Sequence, residues 1–263
     1  GIVQNRKQLP LIAGCSVTAV ELPAMGRVYV WKNGRKHAMK VRIKFAKYGA
    51  VKFIGHLDVM RYFQKAIRRA EIDIAYSEGF SPHQIMSFAS PLSVGHTSEG
   101  EYFDIEVNSF TTEEDVQKRL QSVMVEGFDI LKVKLLSEGE GNAMASVAAA
   151  SYLVSFKKEM SLPRDWKEHL LAFYNQKRIP VVKKTKKGEK EIDLKEGIYQ
   201  LEIEEDAVYL LLDAGSGSNI KPGFVLETFF NMISFTLPEF PFHVHRIETY
   251  KRKVDGSLSA LIS

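Results

Sequence analysis

Hydrophobic positions along the chain switch between two periods. In Met39-Lys-Val-Arg-Ile-Lys-Phe45 apolar and polar residues alternate, which predicts a strand. From Leu57 to Ala70 the apolar residues Val59, Met60, Phe63, Ala66, Ile67 and Ala70 recur at intervals of three and four, which predicts a helix with one apolar stripe. Asp58, Arg61, Gln64, Lys65 and Arg68 fall on its other side. Ile72–Ala75 and Glu101–Val107 alternate as strands do, Thr112–Val125 reads as a second helix opened by the cap sequence Thr112-Glu-Glu-Asp115, and Phe128–Leu136 as a closing strand.

The same order then returns. Tyr152–Phe156 predicts a strand, Pro163–Gln176 a helix with proline in its first turn, 180–194 and 198–212 further strands, Gly223–Phe235 a helix and Phe242–Tyr250 a final strand. Two successive β-α-β-β-α-β runs predict an α+β chain of two tandem ferredoxin-like units with antiparallel sheets. The expected boundaries are an extension at 1–38, a first unit at 39–137, a linker at 138–150, a second unit at 151–253 and a tail at 254–263. The duplication rests on element order, since the halves show no residue-by-residue repeat.

Charge changes this picture little. The formal net charge is +4, but residues 1–38 hold Arg6, Lys7, Arg27, Lys32, Arg35 and Lys36 against Glu21 alone, so 30 basic and 31 acidic residues remain beyond them. Global charge therefore gives no reason to expect nucleic acid. The extension also carries the only cysteine, Cys15, and ends just before Met39; it is expected to be upstream or non-native sequence. Ile12-Ala-Gly-Cys15 resembles a lipoprotein cleavage box, yet Leu9–Ala13 is shorter than the roughly 7–15 residues of a secretory core and is broken by Pro10. No later stretch approaches the roughly 18 consecutive apolar residues of a membrane span, so a cytoplasmic chain without membrane contact is expected. With no cysteine after position 15, the body is expected to hold no disulfide and no cysteine-based metal site, and no cofactor is expected.

Three constellations carry candidate chemistry. The first runs Tyr76-Ser-Glu-Gly-Phe-Ser-Pro-His83, then Ser87 to His96, then Glu99-Gly-Glu101. His56, His83 or His96 could serve as the acid-base group of a ribonuclease, because an imidazole titrates near neutrality; equally, His56 could cap the first helix and the glycines and prolines shape turns. The second is Lys177-Arg178 with Lys183, Lys184, Lys186, Lys187 and Lys190 around Gly188, which reads as a hairpin tip able to track phosphates or as a solvated turn that protects edge strands. The third is Gly215-Ser-Gly-Ser-Asn-Ile-Lys-Pro222, where Ser218, Asn219 and Lys221 precede a helix; it lacks both the Walker and the dinucleotide spacing. Phe80, Phe88 and Tyr102 are candidate stacking surfaces for unpaired bases, or core.

Taken together, Met39–Phe45, Phe53-Ile-Gly-His-Leu-Asp58, Glu78-Gly-Phe-Ser-Pro-His83, Pro91-Leu-Ser-Val-Gly95, Lys184-Thr-Lys-Lys-Gly188 and Gly217–Pro222 resemble the bacterial radical-SAM-linked domain family, from about Met39 to Arg252. The resemblance implies a cytoplasmic partner of a separate radical-SAM protein in RNA or ribosome-related chemistry, and it supplies no catalytic residue. This chain lacks the three closely spaced cysteines that a radical-SAM cluster needs. The expected function is a non-catalytic accessory protein that presents RNA or a ribosome-related substrate. The alternatives are a metal-independent endoribonuclease resembling the tandem ferredoxin-like CRISPR RNA-processing enzymes, and a protein-interaction domain that does not touch RNA.

Overall fold

A computed structural model describes residues 16–22, 26–32, 38–185 and 188–263, with side chains from 38 onward except at 184–187. Most of the segment expected to be an extension lies outside the described residues. Its backbone is described at β1 (Ser16–Leu22) and β2 (Gly26–Lys32), an antiparallel pair. The chain divides into two compact units. One holds the described residues up to Pro91 with Glu101–Met144 and Ile262; the other holds Leu92–Gly100, Ala145–Leu261 and Ser263.

In the first unit the chain order is β3 (Met39–Lys47), α1 (His56–Arg69), β4 (Met86–Phe88), β5 (Thr97–Val107), α2 (Glu113–Ser122) and β6 (Phe128–Leu135). Thr97–Gly100 of β5 fall in the second unit. The strands lie in the order β4, β5, β3, β6, and β3 runs antiparallel to β6, as β4 does to β5. The apolar stripe of α1 does what its period demands: Val59, Phe63, Ala66 and Ile67 are buried, while Arg61, Lys65 and Arg68 are exposed. Phe63 meets Phe45, Phe103 and Phe128 in one aromatic cluster, and its burial contributes about 1.5–3 kcal/mol. Thr112 caps α2 by accepting the Asp115 amide.

The strand expected at Ile72–Ala75 is reduced to a bridge, with the Ala75 amide donating to the Glu106 carbonyl at 2.7 Å and the Asn108 amide to the Asp73 carbonyl at 2.8 Å. After α1, Glu71 takes a left-handed conformation and Ile72 and Ile74 turn into the core, leaving one isolated bridge between Ile74 and Val107; the ladder partner of β5 is Met86–Phe88. Phe88 and Tyr102, weighed as stacking surfaces, are core residues at 9% and 2% exposure.

The second unit runs from the end of α3 (Ala143–Ser146, whose Ala143 and Met144 belong to the first unit) through β7 (Ala149–Phe156), α4 (Trp166–Tyr174), β8 (Pro180–Thr185), β9 (Gly188–Asp193), β10 (Ile198–Glu204), β11 (Ala207–Asp213), α5 (Pro222–Met232), β12 (Phe242–Arg252) and β13 (Leu258–Ala260). Strand order is β10, β11, β7, β12, all antiparallel neighbours, with β13 on β12. Residues 254–263 thus contribute a strand, and Leu261 is fully buried. Thr97 and Ser98 pair in parallel with His245 and Arg246. Phe173, Phe229, Phe230 and Trp166 fill the core beneath α4 and α5. β8 and β9 form a separate two-stranded ribbon. The pairing is mostly antiparallel and the helices few, an α+β chain.

Candidate nucleic-acid interface

The basic hairpin and the glycine-serine loop, far apart in sequence, meet in the second unit. Strands β8 and β9 pair in register from Pro180 opposite Asp193 to Thr185 opposite Gly188, with Lys183 opposite Lys190 and Lys184 opposite Glu189. Gly188 sits at φ +119°, a conformation that side chains rarely adopt. Lys186 and Lys187 lie outside the described residues, as does the side chain of Lys184. Lys190 is exposed, and so are its neighbours Glu189 and Glu191.

The foot of the ribbon is fixed by Asp193. Its carboxylate accepts the amides of Ile179 at 2.8 Å and Lys195 at 3.0 Å and the Arg178 Nε at 3.2 Å. The Ile179 amide above all, and then the Lys195 amide and the Arg178 guanidinium, hold that carboxyl below the usual carboxylate range.

The loop is shaped from the last residue of β11. Asp213 accepts the Gly215 amide on its side chain and the Ile220 amide on its main-chain carbonyl, both at 2.8 Å. Ile220 is buried against Gly197, where any side chain would stand 2.5 Å from Ile220 Cγ1. Asn219 turns the chain at φ +43°, and Pro222 begins α5. Lys183 Nζ then donates to the carbonyls of Ser218 at 2.7 Å and Asn219 at 3.2 Å. Lys183, read from sequence as one of several groups for phosphate, is committed to tying ribbon to loop. Lys190 on the ribbon and Lys221 after the loop are exposed, and Ser218 and Asn219 are half-buried.

The histidines have separate surroundings. His56 is the first residue of α1, not its cap: Gly55 is the cap and makes no side-chain bond. Its ring meets Phe88 edge-on at 5.4 Å. Burial lowers its pKa, with Glu101 opposing and Lys47 assisting. Lys47 is 2% exposed, donates to the Ile54 carbonyl at 2.9 Å, and has its pKa lowered by burial against the pull of Glu101. His83 is exposed and its Nδ1 shares a 2.8 Å bond with Ser77 Oγ. No hydrogen bond or ring contact joins His56 to His83 among the described residues, and His96 belongs to the second unit. Among the described residues no group of three or more His, Cys, Asp or Glu side chains could hold a metal ion.

Sequence reasoning missed two polar arrangements. His245 Nδ1 bonds Thr97 Oγ1 at 2.9 Å, across 148 residues, with Glu99 at 4.0 Å from its other nitrogen. Arg42, fully buried, grips Asp104 through Nε at 2.8 Å and Nη2 at 3.0 Å, while the Gly141 carbonyl accepts from Nη2 and the Ala143 amide donates to Asp104. Only a partner position could have shown either, and alternation had placed Arg42 on a polar face.

Residues 40–222 match the model of a family described as an uncharacterized protein conserved in bacteria (DUF2344). The chain belongs to that family. No curated protein matches it. Among solved structures it is similar to a chain of one titled "Crystal Structure of a Cbf5-Nop10-Gar1 Complex", with a TM-score of 0.39 and 11% identity over 80% of this chain. This chain spans 48% of that chain, and a likeness so slight carries no argument about family function. No helix among the described residues is long and apolar enough to cross a membrane.

Proposed function

We propose that this DUF2344 protein is a non-catalytic accessory factor that presents RNA, or a ribosome-related substrate, to a separate radical-SAM enzyme. In this reading the chain is two ferredoxin-like units, and the order β6, β3, β5, β4 in one and β12, β7, β11, β10 in the other supports it. The observation that carries the RNA half is the Lys183 tie, which joins the basic ribbon to the glycine-serine loop as one surface. Lys184, Lys186, Lys187 and Lys190, with Lys221, would meet phosphates there, each neutralised phosphate releasing counterions. Ser218 and Asn219 would add hydrogen bonds at the loop. The radical-SAM half rests on the motif resemblance and on the single cysteine, Cys15. Recovering the chain from its own cell and identifying what accompanies it tests both halves. RNA together with an iron-sulfur protein is expected; an iron-sulfur protein with no RNA contradicts the RNA half and favours the protein-interaction reading.

One observation favours the ribonuclease reading. Burial lowers the pKa of both His56 and Lys47 against the pull of Glu101, the kind of perturbation that active sites share with structural networks. Were His56 the acid-base group, metal-free RNA cleavage by the chain would fall roughly 10²–10⁴-fold in His56→Ala. The accessory reading expects the unaltered chain to cleave no RNA.

A further inference from the structure

Between α5 and β12 the second unit carries a short turn, Leu237-Pro-Glu-Phe-Pro241, that holds a phenyl ring out in water. Phe240 is 72% exposed, and its backbone sits at φ +50°, the left-handed region that a bulky side chain rarely enters. Strain of this kind persists only where surrounding contacts impose it, and it collects at sites that bind. Here the contacts come from two prolines and from Lys157. The Lys157 amide donates to the Pro241 carbonyl at 3.1 Å, its Nζ donates to the Glu239 carbonyl at 3.1 Å, and the same Nζ lies 5.8 Å from the centre of the Phe240 ring.

The same unit has a hole that suits this ring. Between α4 and α5 lies a cleft of about 220 Å³, lined by the buried rings of Phe173 and Phe229, by exposed Met232, Ala172 and His169, and by Ile233. An apolar cavity of about 150 Å³ accepts a benzene, so this one has room for a phenyl ring on its methylene. Phe240 does not fill the cleft of its own chain, since its ring stands in solvent. It follows Ile233 by seven positions, which keeps ring and cleft within about 25 Å of each other. Charges at the two places are opposite. Lys157 flanks the ring, whereas Asp165, 3.5 Å from the His169 Nε2, and Glu168, one helical turn before Ala172, stand exposed beside the cleft. A small apolar ligand would use the cleft and leave the strained ring without a purpose. A second copy of the chain uses both.

We propose that the second unit pairs with its counterpart in a second copy of this chain: Phe240 of each copy enters the cleft of the other, and Lys157 meets Asp165 or Glu168 at the rim. Such a contact is self-complementary, ring to cleft and cleft to ring, which is the pattern of a two-fold dimer. It goes beyond the accessory role proposed above and requires neither RNA nor a radical-SAM partner.

The full chain, Phe240→Ala and Ala172→Trp would be followed by sedimentation velocity from about 10 μM to about 1 mM. Phe240→Ala removes the ring, and Ala172→Trp plugs the cleft from an exposed position on its wall. The unaltered chain is expected to pass reversibly from monomer to dimer. One ring in its cleft contributes roughly 10- to 150-fold to the dissociation constant, so either variant, losing both contacts, should dimerise roughly 100-fold more weakly or worse with its melt unchanged. An equimolar mixture of the two variants keeps one ring and one open cleft, and should dimerise at concentrations where neither variant does alone. An unaltered chain that stays monomeric throughout overturns the proposal, as does a dimer that either variant leaves intact. Loss in both variants without recovery on mixing overturns it as well, and assigns the effect to the fold of each variant.

Discussion

Lys183 and Ser218, 35 residues apart, are joined by a 2.7 Å hydrogen bond from the lysine ammonium to the serine carbonyl. The bond turns a projecting ribbon and a surface loop into one object, and it sets one lysine of the ribbon apart as an anchor. Lys183→Ala is therefore expected to lower stability by about 1.5–3 kcal/mol, the range for hydrogen bonds to a charged group. Protease cleavage within 180–193 should rise in the variant. Lys190→Ala, at an exposed position, should stay within about 0.5 kcal/mol of the unaltered chain by chemical denaturation. Equal behaviour of the two variants would mean that the tie does not hold the ribbon.

Arg42 and Asp104 form the buried counterpart in the first unit. Asp104→Ala would leave a fully buried guanidinium without its carboxylate and free the Ala143 amide, so a loss of about 3–5 kcal/mol is expected in urea unfolding. A loss below about 1 kcal/mol would show that the Gly141 carbonyl and Glu140 suffice to hold the guanidinium.

The imidazole of His56 makes a prediction in pH. Burial lowers its folded pKa below the unfolded value of 6.5, so below 6.5 the unfolded chain takes up protons first. The stability that this group contributes is whole above 6.5 and is lost as the pH falls from there through the folded pKa. His56→Gln should flatten that part of the acid limb when denaturation midpoints at about pH 7.5 and about pH 5.5 are compared, and the imidazole should titrate below 6.5 by NMR. A titration at or above 6.5 would mean that Glu101 outweighs burial.

Gly100 leaves no room for a side chain. A Cβ there would stand 2.5 Å from Glu248 Cα and 2.8 Å from the Ile247 carbonyl, both backbone, and the Gly100 carbonyl accepts the buried Thr249 hydroxyl. Gly100→Ala should therefore cost about 1–3 kcal/mol or more, as overpacking does, with the loss read by thermal melting. An unchanged melt would show that the 97–100 segment and β12 can separate without penalty.

What the sequence made legible was local. Period three-and-four found α1 almost to the residue, because Val59, Phe63, Ala66 and Ile67 must share a face, and Thr112 announced the start of α2. Alternation found β3 but not the burial of Arg42 or Lys47, whose environments are made by Asp104 and by the Ile54 carbonyl. The second strand of the first unit was found only in part: buried Ile74 meets β5 at a single bridge, while Met86–Phe88 makes the ladder, and alternation cannot tell a bridge from a ladder. The candidate interface was legible as two separate segments; that Lys183 bridges them depended on how the ribbon folds back.

The most direct test of the central claim is the salt dependence of RNA affinity. For the unaltered chain, log K for a single-stranded RNA should fall linearly with log salt concentration, with a slope of about −0.7 per phosphate neutralised. In a variant with Lys184, Lys186, Lys187 and Lys190 changed to Ala the slope should become shallower by roughly 0.7 for each phosphate no longer neutralised, with the melt unchanged. An unaltered chain with no salt-dependent affinity, or a variant with the same slope, would contradict the proposal that this ribbon holds RNA.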